Sequence, residues 1–172
     1  VVGGGNNTAT GSYSFIGGGG DAGTAANRNV ASGDWSFVGG GVKNTASGLG
    51  SAIVGGGVNS AGATGSNNAS GIASFISGGN NNNATATYSG IFGGTVNTAN
   101  SNWGTTLGGQ YATTRSIVAN TVFSACQSPI QALSGASQSA LLVIGTQTTD
   151  ATPTVLRSDA NAASGINQVI LP

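Results

Sequence analysis

"SFVGGGVKNTASGLGSAIVGGGVNSAG" (residues 36–62) nearly repeats itself halfway along, with Ser51 standing where Ser36 stood. Each copy writes a Ser, an aromatic residue or Ala, a β-branched residue and a Gly pair, with an Asn-x-Ala-Ser-Gly turn between the copies. Working outward from this stretch, Gly pairs align at Gly3-Gly4, Gly18-Gly19, Gly40-Gly41, Gly55-Gly56, Gly78-Gly79, Gly93-Gly94 and Gly108-Gly109. The interval from Gly40 to Gly55 recurs from Gly3 to Gly18, from Gly78 to Gly93 and from Gly93 to Gly108, and it is exceeded only from Gly18 to Gly40 and from Gly55 to Gly78. An Asn recurs behind the pairs at Asn7, Asn29, Asn44, Asn67, Asn82 and Asn97, so the two long intervals carry insertions at about 21–28 and 59–66.

The resulting fifteen-residue unit is too short for a helical hairpin, and Gly and Asn oppose helix formation. It suits one coil of a parallel β-solenoid, two short strands joined by tight turns, with alternate side chains facing in and out. This predicts an all-β fold with an inward column of Val38, Ile53, Ile76 and Ile91. A second column, where space is tight, comprises Ala31, Ala46, Ala69, Ala84 and Ala99. Gly pairs permit corner conformations that other residues resist. Asn44, Asn82, Asn97 and their equivalents are expected to stack as an amide ladder that satisfies turn backbone groups. Each coil carries few large apolar residues, so three chains packed side by side would hide a second apolar face.

Composition narrows the chemistry. Of the 172 residues, 32 are Gly, four are Lys or Arg and four are acidic, leaving no net charge. The acids are Asp21, Asp34, Asp150 and Asp159; the bases are Arg28, Lys43, Arg115 and Arg157. Nothing here tracks phosphates, so no nucleic-acid partner is expected. No apolar run approaches the roughly 18–20 residues that span a bilayer, so no membrane insertion is expected. Regular placement of Val, Ile and Phe in a neutral chain argues against disorder. There is no His and a lone Cys, Cys126. The usual general base and the commonest metal ligand are therefore missing, and neither a cofactor, a metal nor an enzymatic activity is expected. Met is absent and the chain opens inside a repeat, which leads us to expect a segment of a longer protein.

From about Ser116 the repeat fades. Residues 139–145 ("SALLVIG"), 153–159 ("PTVLRSD") and 167–172 ("NQVILP") read as strands of a smaller β module, with 121–138 either a connector or the last irregular coils. The expected division is a repeat shaft over 1–115 and a module over 116–172.

The units "YSFIGGG", "WSFVGGGVKNTASG" and "GSAIVGGGVNSAG" resemble the Gly-rich head repeats of trimeric autotransporter adhesins and similar repeats of bacteriophage tail fibres. Residues 137–172, with the turn Thr148–Pro153 and the ending Asn167–Pro172, look like a module that follows such repeats in phage tail fibres. The resemblance implies a left-handed parallel β-solenoid or β-roll, an intertwined or side-by-side homotrimer, projecting from a virion or, in the adhesin alternative, a bacterial surface. It implies partners of three kinds: copies of the chain, other virion tail or fibre proteins, and a host surface glycan or protein.

Candidate contacts to such a receptor are the insertions, because excess residues on a solenoid become loops on one face. They run from Asp21 to Arg28 and from Asn59 to Ser66, with Trp35 following the first insertion and Trp103 and Tyr111 near the final coils. Aromatic faces stack on sugar rings, although Trp also packs well between chains. A glycan-cleaving alternative would pair Asp21 with Asp34, since glycosidases flank the scissile bond with two carboxyl groups. The run "GGGVKNT" lacks the Lys-Ser/Thr step and the helix of a phosphate-binding loop. Thr8, Thr45 and Thr98 share one repeat position, but Val30 and Asn68 interrupt what would be an ice-binding row.

Overall fold

The structure is a computed structural model and describes residues 1–57, 65–125 and 138–141. In chain order its strands are β1 (Thr8–Ala9), β2 (Phe15–Ile16), β3 (Val30–Ala31), β4 (Phe37–Val38), β5 (Thr45–Ala46), β6 (Ala52–Ile53) and β7 (Asn68–Ala69). They continue with β8 (Phe75–Ile76), β9 (Asn83–Ala84), β10 (Gly90–Ile91), β11 (Thr98–Ala99), β12 (Thr105–Thr106), β13 (Thr121–Ala125) and β14 (Gln138–Leu141). The odd-numbered strands from β1 to β11 form one six-stranded sheet, and the even-numbered strands with β13 form a second, eight-stranded sheet. All neighbours pair in parallel except β13 and β14, which are antiparallel. The architecture is all-β, with parallel strands in stacked sheets, consistent with a β-solenoid or roll.

Register places the core. Ile16, Val38, Ile53, Ile76, Ile91, Thr106 and Val122 are successive partners across one sheet. Ala9, Ala31, Ala46, Ala69, Ala84 and Ala99 are partners across the other. Apart from Ala9, which is half-buried, these side chains are fully buried between the sheets. At roughly 4.8 Å per strand, the parallel rungs stack into a rod segment. The stacking runs on past Arg115: β13 pairs with β12 through Thr105↔Thr121 and Thr106↔Val122, in a coil slightly longer than the usual repeat.

The corner after each even-numbered strand from β2 to β10 is held by the Asn ladder. The Asn82 Oδ1 accepts the backbone N–H of Asn97 at 3.0 Å, and its Nδ2 donates to the carbonyls of Gly78 and Gly94, both at 2.9 Å. One amide thus ties its own turn to the next coil. Asn97 repeats the pattern with Gly93, Gly109 and the N–H of Ala112. Asn44 donates to Gly40 and Gly56 in the same way. After the second insertion the link changes, and the Asn67 Nδ2 donates to the Asn44 Oδ1 at 3.0 Å. Glycine is required beside the ladder: Gly41 has a φ of +82°, and a Cβ there would strike the Gly56 carbonyl.

The last rungs close differently. Thr113 continues the first sheet by bridging to Thr98. The Gln138 side chain accepts the N–H of Thr113 and donates to its carbonyl, both at 2.9 Å. Among the described residues a side-chain amide therefore takes the place of a further strand at this sheet edge, while β14 pairs with β13 in the other sheet. The expected strands at 153–159 and 167–172 lie outside the described residues.

One coil contains a compensating exchange. At the other corner, other coils place a Gly three positions before an inward Ser, as in Gly33/Ser36, Gly48/Ser51 and Gly71/Ser74. Here the order is inverted to Ser101/Gly104, and the Ser101 Oγ fills the space that a Cβ on Gly104 would need.

The ladder and the exchanged pair each set an expectation for stability. Asn82→Ala leaves the buried Asn97 N–H without its acceptor, at a cost of about 1–3 kcal/mol, and takes a donor from the Gly78 and Gly94 carbonyls, of which Gly94 keeps the Asn80 N–H. Chemical denaturation should show a clear fall in midpoint, whereas Ser70→Ala on an exposed position should leave it unchanged. Gly104→Ser should destabilise by clashing with Ser101, and adding Ser101→Gly should recover most of the loss in a double-mutant cycle.

Candidate functional site

The two-sheet coil has two corners, and the candidate residues divide between them. The chain turns from the second sheet to the first at the Gly corner, which carries the Asn ladder and the insertions. It turns from the first sheet to the second at an aromatic corner, which holds Tyr13, Trp35, Tyr88 and Trp103.

The first insertion is an ordered loop at the Gly corner. The Asp21 carboxylate accepts the N–H of Gly23 at 2.8 Å and the Nδ2 of Asn27 at 3.2 Å, and the Asp21 carbonyl accepts the Asn6 Nδ2 at 2.7 Å. A short 3-10 turn, Ala25–Asn27, then leads to exposed Arg28, whose N–H bonds back to Ala25. The Gly23 N–H, followed by the Asn27 and Thr24 side chains, holds the Asp21 carboxyl below its ordinary value. Asp34 lies at the aromatic corner, where its Oδ1 accepts the Ser12 N–H at 2.8 Å. Opposite corners separate the two carboxylates, so within one chain they do not flank a common bond.

Trp35 likewise does not join the first insertion. It stands at the aromatic corner, stacked on Tyr13 of the preceding coil with ring centroids 5.9 Å apart and planes 7° from parallel. Trp103 stacks on Tyr88 in the same way at 6.2 Å. Tyr111 sits at the Gly corner, in line with Lys43 and Val96, so it does not converge with Trp103. The linear proximity of these residues does not survive the coil, because consecutive turns of the chain lie on opposite edges.

Of the second insertion, Asn59 lies outside the described residues. Ser66 is at its base and lines a cleft of about 270 Å³ with Asn68, Asn81, Asn82 and Asn83. The Ser66 N–H donates to the Asn81 Oδ1, and the Asn68 Nδ2 donates to the Asn83 Oδ1, both at 3.0 Å. The cleft is neutral and amide-lined. Among the described residues no group of three or more His, Cys, Asp or Glu is placed to hold a metal ion, and no helix is long and apolar enough to cross a membrane.

Sequence reading passed over the conformation of the aromatic corner. Tyr13, Trp35, Ala73, Tyr88 and Trp103 have φ between 49° and 59°, the left-handed region. That conformation costs a non-Gly residue roughly 1–2 kcal/mol. Each of these N–H groups donates to the preceding coil except that of Tyr13: Trp35 to Ser12, Ala73 to Leu49, Tyr88 to Ile72 and Trp103 to Thr87. Where the corner residue is small, at Gly50 and Ala73, the residue before it is large and exposed, Leu49 and Ile72. In the sequence these positions run Tyr13, Trp35, Leu49-Gly50, Ile72-Ala73, Tyr88 and Trp103, and Gly50 alone among them carries a cue to the left-handed conformation.

The outer face of the eight-stranded sheet follows the same rule. Phe15 and Phe37 lie over Gly17 and Gly39, and their rings stack at 5.4 Å. Val54 takes over beside Ala52, then Phe75 beside Ser77, and Phe92 lies over Gly90. Leu107 and Phe123 complete the rungs beside Thr105 and Thr121. Each rung presents one bulky apolar side chain, at one or other of two outward stations. The outer face of the six-stranded sheet instead carries Thr, Ser and Asn, with Val30 as its apolar exception.

Comparison with protein-family models, with curated proteins and with solved structures finds no match to this chain.

The carboxyl of Asp21 makes a pH-dependent loop. Because its folded pKa is depressed, its stabilising contribution is present above the ordinary value of 3.8 and is lost as pH falls through the lowered folded value. Amide exchange at Gly23 should accelerate on acidification below that point. Asp21→Asn should remove this acid-dependent step, and an unchanged profile in that variant would assign the step elsewhere.

Proposed function

We propose that this chain is a structural segment of a trimeric viral fibre of the phage-tail kind, one that projects from the virion and supports attachment to a host surface. The observation that carries the reading is the mismatch between core and surface. Each rung buries one β-branched residue and one Ala, or small polar equivalents, yet leaves large apolar side chains exposed. A contiguous apolar surface of this extent on a monomer marks an interaction site. Association of three copies would cover it, and the resemblance of the repeats to left-handed trimeric fibre and adhesin coils supports three.

In this reading the work is mechanical and multivalent. A stack of parallel rungs with fixed corners resists bending and holds binding elements away from the particle. Threefold display raises effective concentration at a repetitive surface without a stronger individual contact. The ordered loop at 21–28 and the amide-lined cleft at Ser66 are the elements offered to a host glycan or protein, and other virion tail proteins are the partners along the axis. No catalytic step is assigned.

Sedimentation equilibrium tests the assembly. The expected mass is three times the 16.4 kDa of the chain, accompanied by a β-type circular dichroism spectrum. A stable, folded monomer would overturn the proposal.

A further inference from the structure

We infer that copies of this chain meet through the outward face of the eight-stranded sheet and the adjoining aromatic corner, leaving the Thr-, Ser- and Asn-lined sheet outside. The inference rests on the multichain reading above and adds to it the face by which the chains touch.

Three observations converge on that face. The first is that every rung carries one bulky apolar residue. Along the rungs the bulky residue changes station, from Phe37 to Val54 and from Phe75 to Phe92, yet each rung keeps one. A solvated surface has no reason to conserve bulk in this way, whereas a surface pressed against a partner of even thickness does.

The second is conformational. The corner positions of Tyr13, Trp35, Tyr88 and Trp103 are left-handed, where Gly is the easy choice and does occur at Gly50. Hydrogen bonds to the preceding coil hold the backbone at Trp35, Tyr88 and Trp103 whatever residue stands there, yet aromatic rings occupy the corner and stay more than half exposed even with their ring stacks. A covering partner supplies the missing contacts. The third is extent. A covered aromatic side chain contributes about 150–250 Å². With about half of each exposed, the bulky residues of face and corner present on the order of 1,000 Å². A specific interface takes about 800 Å² from each partner.

The occupant is a second copy because the surface repeats at the strand spacing over its whole described length. A partner must match that period rung for rung, and another copy of this chain has it by construction. The outward stations of this sheet, among the described residues, hold no charged side chain, so identical sheet faces meet without like-charge repulsion; the adjoining corner carries one carboxylate, Asp34, tied to the Ser12 N–H. The six-stranded sheet, exposed at Ser32, Ser47, Ser70 and Thr85, remains satisfied by water.

The test compares lysine pairs on the two faces, read by sedimentation and circular dichroism. Val54→Lys with Phe92→Lys should yield a folded species of lower mass, while Ser47→Lys with Thr85→Lys should keep the wild-type mass. Dissociation by the second pair, or by neither, overturns the face assignment while leaving the assembly standing. A monomeric wild type instead removes the assembly itself, and the face with it. Should the first pair fail to fold, thiol cross-linking in a Cys126→Ser background decides. Val54→Cys should give covalent oligomers with a short cross-linker and Ser47→Cys should give none; the reverse result overturns the inference.

Discussion

The side-chain amide of one repeated asparagine is the interaction on which the coil depends. A coil this narrow cannot bury its corners under other elements, and it cannot leave their backbone groups unpaired next to the core. Helices and wide sheets solve the problem with backbone partners, but a tight turn has too few. Asn82 shows the solution: its oxygen takes the next coil's N–H and its nitrogen reaches two carbonyls, one in its own turn and one in the next. Asp at that position would lose both donors and bury a charge, and Gln would push the amide one bond too far. The Gly pairs are subordinate to this geometry, since only a residue without Cβ lets successive turns approach closely enough for the amide to span them. Both insertions fall, along the sequence, between a Gly pair and its Asn, and the ladder resumes behind each of them at Asn29 and Asn67.

The periodicity was legible because burial repeats with it. One inward β-branched residue and one inward Ala per coil left no other arrangement in which both would be covered, and Ile53, Ile76, Ala46 and Ala84 lie in those columns. What sequence reading missed has a common cause. Adjacency along a coil is not adjacency in space, so the loop ending at Arg28 and the nearby Trp35 fall on opposite corners. Trp103 and Tyr111 part for the same reason. The reading of 121–138 stayed open between a connector and the last irregular coils because residue identity fades there while spacing nearly persists: Thr121 still pairs with Thr105, and Val122 with Thr106. The Ser101/Gly104 inversion changes the spelling of the repeat while the Ser101 Oγ occupies the space that a Cβ on Gly104 would need.

The left-handed aromatic corner was not legible because propensity points the other way. A positive φ on Trp35 or Trp103 contradicts local preference, and such contradictions are held by surrounding structure. Here the surroundings are the preceding coil: the Ser12 and Thr87 carbonyls accept the Trp35 and Trp103 N–H groups and fix the turn whatever residue occupies it. Once the backbone is dictated by its neighbours, the side chain there is free to be chosen for what it presents outward. That separation between a hydrogen-bonded frame and an independently chosen surface explains how one coil geometry carries an apolar face on one sheet and a hydroxyl- and amide-lined face on the other. The closing rungs follow the same logic. The Gln138 amide pairs with Thr113 as a backbone would, so among the described residues both polar groups of Thr113 at this sheet edge are satisfied by a side chain rather than by a strand.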